Sequence, residues 1–365
     1  MQIWMNMLVA VGVAFELASV TPAQSRPTVR PRAVTVTRLA YKGWPGCARV
    51  SNGIVEAIVA PRIGRILAFQ FVGRPDSSPI FINPDWLGKT GADAGAGNWA
   101  NFGGDKLWPS PQSDWPRYIG HPFPPDTAFD GEPERMDVVP GGVRLTTPRS
   151  AAFGAEASRT ITLRPGETRL YIAQTLRRAA PPQPTTDAKP PAPGGRDRLG
   201  IWSVTQTRGD GAVFLPLNPG SRFPQGFVTF GADSSPILHP GPLPPGWART
   251  GSMLTGRRDP TRSSKLGTDD SAGWIASLYG GDLLFSERYP IHRGLTYPDG
   301  GCRTEVYANA GATAYVELEL LGPLQLLPPG KQTTYDITWQ LERLPRSPAT
   351  AGDAERLVRA AMSKS

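Results

Sequence analysis

Cys47-Ala48-Arg49-Val50-Ser51-Asn52-Gly53-Ile54-Val55-Glu56-Ala57-Ile58-Val59 is the stretch that decides the fold class. Two short strand-like runs flank Ser51-Asn52-Gly53, and Asn-Gly supplies the positive φ angles of a tight turn between antiparallel strands. The same pattern of strand and turn recurs almost throughout the chain. Upstream, residues 33–39 alternate; downstream, 63–71 continue as a strand and 79–82 give another short one. Runs at 136–139 and 143–147 are joined by Pro140-Gly141-Gly142, and those at 158–163 and 169–176 by Arg164-Pro165-Gly166-Glu167. Further strands are expected at 200–207, 212–217 and 226–230. A nearly continuous antiparallel set then follows at 273–279, 283–288, 303–308, 314–321 and 334–344.

The convincing helix is terminal, at 353–362, with Asp353 placed to cap and Leu357 and Val358 to dock. Many strands, turn connections and almost no helix mean an all-β fold, with large antiparallel sheets packed face to face as a β-sandwich. We read one such domain over 26–345, with long loops and a Pro-rich insertion near 179–195. A tail at 346–365 carries the short C-terminal helix.

A chain of 365 residues can bury a sizeable core. Its 41 glycines and 40 prolines approach the level seen in disordered chains, but ten tryptophans and 39% hydrophobic residues indicate a turn-rich folded protein. The net charge of +8 comes from scattered arginines rather than a stripe, which argues against nucleic acid as a partner. Residues 1–25 read as a secretory signal peptide. The apolar run 5–15 is too short to span a membrane, and small residues follow, with cleavage expected after Ala23 or Ser25. No Lys or Arg precedes the run and Glu16 closes it, which departs from the usual signal pattern. No later segment reads as an integral membrane span, so the protein is expected to be exported, either periplasmic or extracellular (secreted). Cys47 and Cys302 either form one disulfide or are two buried free thiols. Neither has a second Cys or His at ligand spacing, so no metal and no cofactor is expected.

Residues 83–125 read as a long irregular region, and 236–270 as another. Within the first, 97–112 has too many Gly, Pro and polar residues for a core strand and lacks a helical period. It nevertheless carries Trp99 and Trp108, with Trp86 and Trp115 close on either side. Large flat rings beside Asn101, Asp105, Lys106 and Gln112 combine stacking surface with hydrogen-bonding groups, as a hydroxyl-rich ligand such as a sugar requires. The alternative is a lid whose tryptophans only plug the domain.

Several segments resemble a known family. Arg62-Ile63-Gly64-Arg65-Ile66 resembles the "GGRI" stretch of galactose-mutarotase-like proteins. Asn101-Phe102-Gly103-Gly104-Asp105-Lys106-Leu107-Trp108-Pro109 is similar to the hallmark of the DUF4380 family, a domain of unknown function placed near the mutarotase-like sandwiches. Ile201-Trp202-Ser203-Val204-Thr205-Gln206, Glu305-Val306-Tyr307-Ala308-Asn309 and residues 315–323 follow in the family's order, so the resemblance covers about 40–344. It implies a galactose-mutarotase-like supersandwich with a carbohydrate-sized cleft on one sheet; fold alone does not imply a reaction.

Mutarotation needs a base at the anomeric hydroxyl and an acid at the ring oxygen. In the resembled mutarotases these are a Glu and a His. Gly301-Cys302-Arg303-Thr304-Glu305 resembles the segment carrying that Glu, which makes Glu305 the candidate catalytic base; the alternative is a structural carboxylate paired with an arginine. The region comparable to the His segment, 199–206, holds no His. His121 and His239 sit in Pro-rich loops, and His292 lies 13 positions before Glu305. As ligand-binding candidates, Trp99 or Trp108 stacks on a sugar face, with Trp202 as a further aromatic candidate. Asn101, Asp105, Gln112 and Gln206 bond hydroxyls, and Lys106, Arg159 and Lys265 accommodate an acidic sugar.

Other chemistries find less support. There is no Gly-x-Ser-x-Gly elbow, 103–106 lacks phosphate-loop spacing, and Asp85, Asp93, Asp105 and Asp114 do not fit an EF-hand. Glu317 and Glu319 share a strand face by alternation and read as solvated, or else join Asp105 and Glu305 as material for a hydrolytic carboxylate pair. Three readings therefore stand. One is an exported carbohydrate-binding protein for a mono- or oligosaccharide. Another is a sugar epimerase (mutarotase) or other carbohydrate-active enzyme using Glu305. The last is a non-catalytic structural or interaction module of the cell envelope.

Overall fold

In the computed structural model, the Asn-Gly hairpin pairs Trp44–Ser51 with Val55–Ala60, with Val50 opposite Ala57. Gly53 supplies the positive φ, at +85°. Asn52 does the rest. Its Oδ1 accepts from the backbone N–H groups of Ile54 and Val55, each at 3.0 Å, while Nδ2 donates to the carbonyls of Arg164 and Glu167, each at 2.7 Å. Those carbonyls belong to a turn of the other sheet, so one side chain closes a hairpin and stitches the two sheets together.

The structure describes residues 32–179, 197–231 and 235–364, and these form one compact unit. The expected signal peptide at 1–25 and nearly all of the insertion near 179–195 lie outside the described residues. Two sheets dominate the described part. The first has 12 strands and runs, in spatial order, Thr35–Tyr41, Trp44–Ser51, Val55–Ala60, Arg65–Phe71, Asp105–Ser110, Arg198–Arg208, Tyr315–Leu321, Thr304–Ala308, Ser264–Thr268, Val228–Phe230 and Pro236–Ile237, with Gln325–Leu326 pairing beside Arg198–Arg208. The second has 11 strands and is built around Trp274–Tyr279, Leu283–Arg288, Ile337–Arg343, Arg169–Arg178 and Ala155–Leu163. Every pairing between these strands is antiparallel, as expected for a sandwich.

The core lies between the sheets. Ala155–Leu163 alternates strictly between buried and half-buried positions, so one face looks inward. Trp339 packs against Phe285 at 5.4 Å and Phe69 of the first sheet at 6.1 Å between ring centroids. On the outer face of the second sheet, Ala351–Ser363 forms the terminal helix and buries Val358, Ala361 and Met362 against Phe214, Met253, Trp274 and Leu284. Burying a side chain such as Val358 contributes about 1.5–3 kcal/mol. The cap is Thr350, not Asp353: Thr350 Oγ1 accepts from the Asp353 N–H at 3.2 Å, and the Asp353 carboxylate pairs with Arg346 and Arg356.

Two regions expected to be irregular contain strands. Asp105–Ser110 is a fully buried central strand inside 83–125, and Trp247–Thr250, Met253–Gly256 and Ser264–Thr268 lie inside 236–270. Asp-Lys-Leu-Trp-Pro-Ser and Ser-Lys-Leu-Gly-Thr hide their strand character for one reason. Their polar residues satisfy partners on both faces of the sheet, so no apolar alternation remains to be read. No described helix is long and apolar enough to cross a membrane.

Candidate functional site

Five neighbouring strands at the centre of the first sheet position the site: Ser264–Thr268, Thr304–Ala308, Tyr315–Leu321, Arg198–Arg208 and Asp105–Ser110. Residues directly opposite one another share a face. The register sets Lys265, Tyr307, Glu317 and Gln206 in one row, and Glu305, Glu319, Val204 and Lys106 in the next. Trp202 and Trp108 form a third row. By strand alternation all of these share the face turned from the opposite sheet, where Trp108, Trp202 and Val204 are still packed into the buried apolar cluster. The intervening Leu266, Val306, Leu318, Leu320 and Leu107 look into the sandwich core.

A pocket of about 390 Å³ opens on that outer face. Trp99, Trp108, Trp202 and Phe123 supply aromatic walls; Lys265, Glu317 and Glu319 supply the charged floor; Tyr307, Tyr315, Asn309 and Gln112 complete the lining. The tryptophans brace one another, with Trp108 edge-on to Trp202 at 5.2 Å and to Trp115 at 5.6 Å. The Ser110–Pro111 peptide bond, just past the strand, is cis.

The floor is held by two charge clusters. In one, Glu317 Oε1 accepts from Lys106 Nζ at 3.1 Å and from Gln206 Nε2 at 3.0 Å. The Lys106 ammonium lies 4.8 Å from the Trp108 ring centroid and 5.6 Å from that of Trp99. In the other, Lys265 Nζ sits 2.7 Å from Glu305 and 3.0 Å from Glu319, over the rings of Trp202 and Phe230. Glu319 Oε2 also accepts from Trp202 Nε1 at 3.0 Å.

Burial dominates the electrostatics. It pushes the Glu305 carboxyl up to about 7, with Lys265 opposing and Asp299 adding to the rise. It pushes Glu319 to about 8, again against Lys265, with Glu305 and Glu317 adding like charge. Burial alone would lower the Lys265 ammonium, but Glu305 and Glu319 outweigh it and hold its pKa well above the usual lysine range. Lys106, fully desolvated, falls below its ordinary value despite Glu317.

Of the residues singled out from sequence as ligand contacts, Trp99, Trp108, Gln112, Trp202 and Lys265 line this pocket. Lys106 and Gln206 lie one layer beneath, both on Glu317. Asn101 bonds the side chain of Tyr315 at the pocket edge. Glu305 is fully buried behind Lys265 and is not part of the lining. The structure does not bring Asp105 and Arg159 to the pocket. With Lys106 and Trp108 facing outward, strand alternation turns Asp105 into the core. There Asp105 is 0% exposed and pairs with Arg159, itself 2% exposed, at 2.7 Å across the two sheets. Thr205 Oγ1 and Ser203 Oγ donate to the other Asp105 oxygen at 3.1 and 3.4 Å, and Arg159 also donates to the Gly64 carbonyl at 2.6 Å.

Among the described residues no histidine lines the pocket; His121 and His292 border other hollows. Cys47 and Cys302 are both free and buried. Sequence reading missed Phe123, Tyr307, Asn309 and Tyr315, and it placed Glu317 and Glu319 on a solvated face. They are 8% and 1% exposed. The available signal was the alternation of Tyr315, Glu317 and Glu319 with Val316, Leu318 and Leu320: an aromatic residue starts the polar face, where a water-facing strand needs none.

No protein-family model matches the chain, and no functionally curated protein matches it. Solved structures do resemble it. A proposed aldose 1-epimerase from Klebsiella pneumoniae superposes with TM-score 0.53 at 11% identity, over 91% of this chain and 87% of that one. A galactose mutarotase related enzyme from Lactobacillus acidophilus gives 0.51 at 9% identity, over 81% and 97%. A galactose mutarotase-like protein from Clostridium acetobutylicum gives 0.50 at 8% identity, over 85% and 99%. At such identities the likeness speaks for fold: this chain has the galactose-mutarotase-like antiparallel β-sandwich.

Proposed function

We propose that this is an exported carbohydrate-binding protein of the mutarotase-like class, akin to the DUF4380 proteins, which binds a sugar unit in the pocket on its first sheet. The observation that carries this reading is the combination of braced tryptophan walls with a floor of carboxylates whose positions are fixed by Lys106, Gln206, Lys265 and Trp202. Rings offer a flat face to the C–H side of a pyranose, and fixed carboxylates accept from its hydroxyls. The volume, about 390 Å³, suits one sugar residue better than a long chain. Titration calorimetry against a panel of aldohexoses tests the reading. We expect at least one to bind, and Glu317→Gln to weaken it ten- to a hundredfold, the worth of about 1.5–3 kcal/mol for a charge-assisted hydrogen bond. A panel with no binder would refute it. Cleavage after Ala23 or Ser25, read by N-terminal sequencing of the mature protein, tests export.

An epimerase reading is favoured by one feature: two carboxyls, Glu305 and Glu319, lie near 7 and 8, where proton donors and acceptors work best at neutral pH. In this reading Glu319, on the pocket floor, meets the sugar, and Glu305 reaches it only after Lys265 shifts aside. Exchange NMR on aldoses would show faster anomer interconversion than in Glu319→Gln; equal rates would remove the reading.

A further inference from the structure

Resting on the sugar-binding reading above, we infer that the pocket selects a monosaccharide bearing a protonated amino group and disfavours uronic acids. Charge and geometry both point this way. The two lysines expected to welcome an acidic sugar are already committed: Lys106 to Glu317, and Lys265 to Glu305 and Glu319. Both ammonium groups also lie over indole rings, Lys106 over Trp99 and Trp108 and Lys265 over Trp202. Arg159 is sealed between the sheets, and Arg303 donates to the carbonyls of Asp269 and Asp270 at 2.9 and 2.6 Å. Among the described residues, the one cation lining the pocket is Lys265, which is already paired, so none is left for a ligand carboxylate.

Carboxylates are in excess. Glu305, Glu317, Glu319 and Asp299 act on the two lysines, and Arg65, the further cation acting on Lys106, is paired with Asp130, so full ionisation leaves the site net negative. The hydrogen bonds fall on one oxygen of each floor carboxylate: Oε1 of Glu317 takes Lys106 and Gln206, and Oε2 of Glu319 takes Lys265 and Trp202. Among the described residues, Glu317 Oε2 and Glu319 Oε1 accept no hydrogen bond and remain open to a ligand. Carboxylate oxygens ringed by Trp99, Phe123, Tyr307 and Tyr315 offer an ammonium both of its favoured partners, an anion and aromatic faces. A uronate placed there meets like charge in a partly desolvated site.

The raised carboxyls of Glu305 and Glu319 fit this reading: burial first, and then like-charged neighbours, favour their protonated forms, and a cationic ligand releases those protons. The phenol of Tyr315 is also pushed up, by burial and then by Glu317, so it enters the pocket as a neutral donor.

The test is calorimetry at pH 7 with galactosamine, galactose and galacturonate, and with the corresponding glucose trio, on the wild-type protein. We expect the amino sugar of one trio to bind about tenfold or more tighter than its neutral parent, with the uronate weakest. Its apparent enthalpy should change between buffers of different ionisation enthalpy, reporting proton release. Glu317→Gln, checked for an intact melting transition, should narrow the amino-to-neutral ratio. A uronate that binds as tightly as the amino sugar, equal affinities for amino and neutral sugars, or an unchanged ratio in folded Glu317→Gln each overturns the inference while leaving sugar binding in place. Absence of binding by all six compounds overturns both.

Discussion

Asp105 and Lys106 are neighbours in sequence, and each forms a buried ion pair, yet they belong to different parts of the protein. Asp105 faces the core and meets Arg159 of the opposite sheet; Lys106 faces outward and meets Glu317 on the floor of the pocket. The first pair is enclosed by Thr205, Ser203 and the Gly64 carbonyl, with nothing left for a ligand. The second leaves an oxygen of Glu317 beside an aromatic hollow. In the proposed reading, identical chemistry serves cohesion on one face and recognition on the other, and strand alternation decides which.

Mutations separate the two roles. The largest effect is expected for Arg159→Met, which leaves Asp105 charged and unpaired in the core. Such a loss costs about 3–5 kcal/mol and should lower Tm sharply, while any folded fraction keeps its sugar affinity. If Arg159→Met melted normally but lost the ligand, the roles of the two faces would be exchanged. Next comes Trp202→Ala, which removes a pocket wall and the donor to Glu319. Affinity should fall at least tenfold, with Tm also reduced because the ring packs against Trp108 and Trp115.

Protonation sharpens the contrast further. Glu287 is fully buried in the second sheet, and burial pushes its carboxyl well above the usual range. A raised acid is stabilising in its neutral form. Its contribution is complete below the unfolded carboxyl pKa and is lost as pH rises through the folded value. Glu287→Gln should therefore flatten the alkaline side of the Tm–pH profile without changing ligand affinity. Glu319→Gln should instead alter the pH dependence of binding around pH 8, its raised value. The smallest effect is expected for Thr350→Ala, at the helix on the far side of the second sheet. It should cost about 1 kcal/mol and leave binding untouched.

The fold was legible wherever turns announce themselves. Asn52-Gly53 and Pro140-Gly141-Gly142 bracket strands whose apolar residues alternate, and both hairpins formed. The strand Asp105–Ser110 was not legible, because its inward face carries an aspartate matched to an arginine 54 positions away, a pairing no local pattern reveals. The same hidden strand explains the mixed picture of site residues. Read as a loop, 101–112 offers all of its polar groups to one ligand; as a strand it sends Lys106 and Trp108 one way and Asp105 the other. Glu317 and Glu319 were visible as a pair sharing a face, but only the register against Tyr307, Gln206 and Lys106 shows that this face is the floor of a pocket.

The indole N–H signals give the most direct test of the claim that one face of the first sheet recognises a sugar while the other only holds the sandwich together. In a nitrogen–proton correlation spectrum assigned by single Trp→Phe changes, a saturating sugar should shift the indoles of Trp99, Trp108 and Trp202 and leave Trp339 and Trp44 in place. Shifts confined to Trp339 or Trp44, or no pocket indole moving with any amino or neutral sugar, would contradict the account.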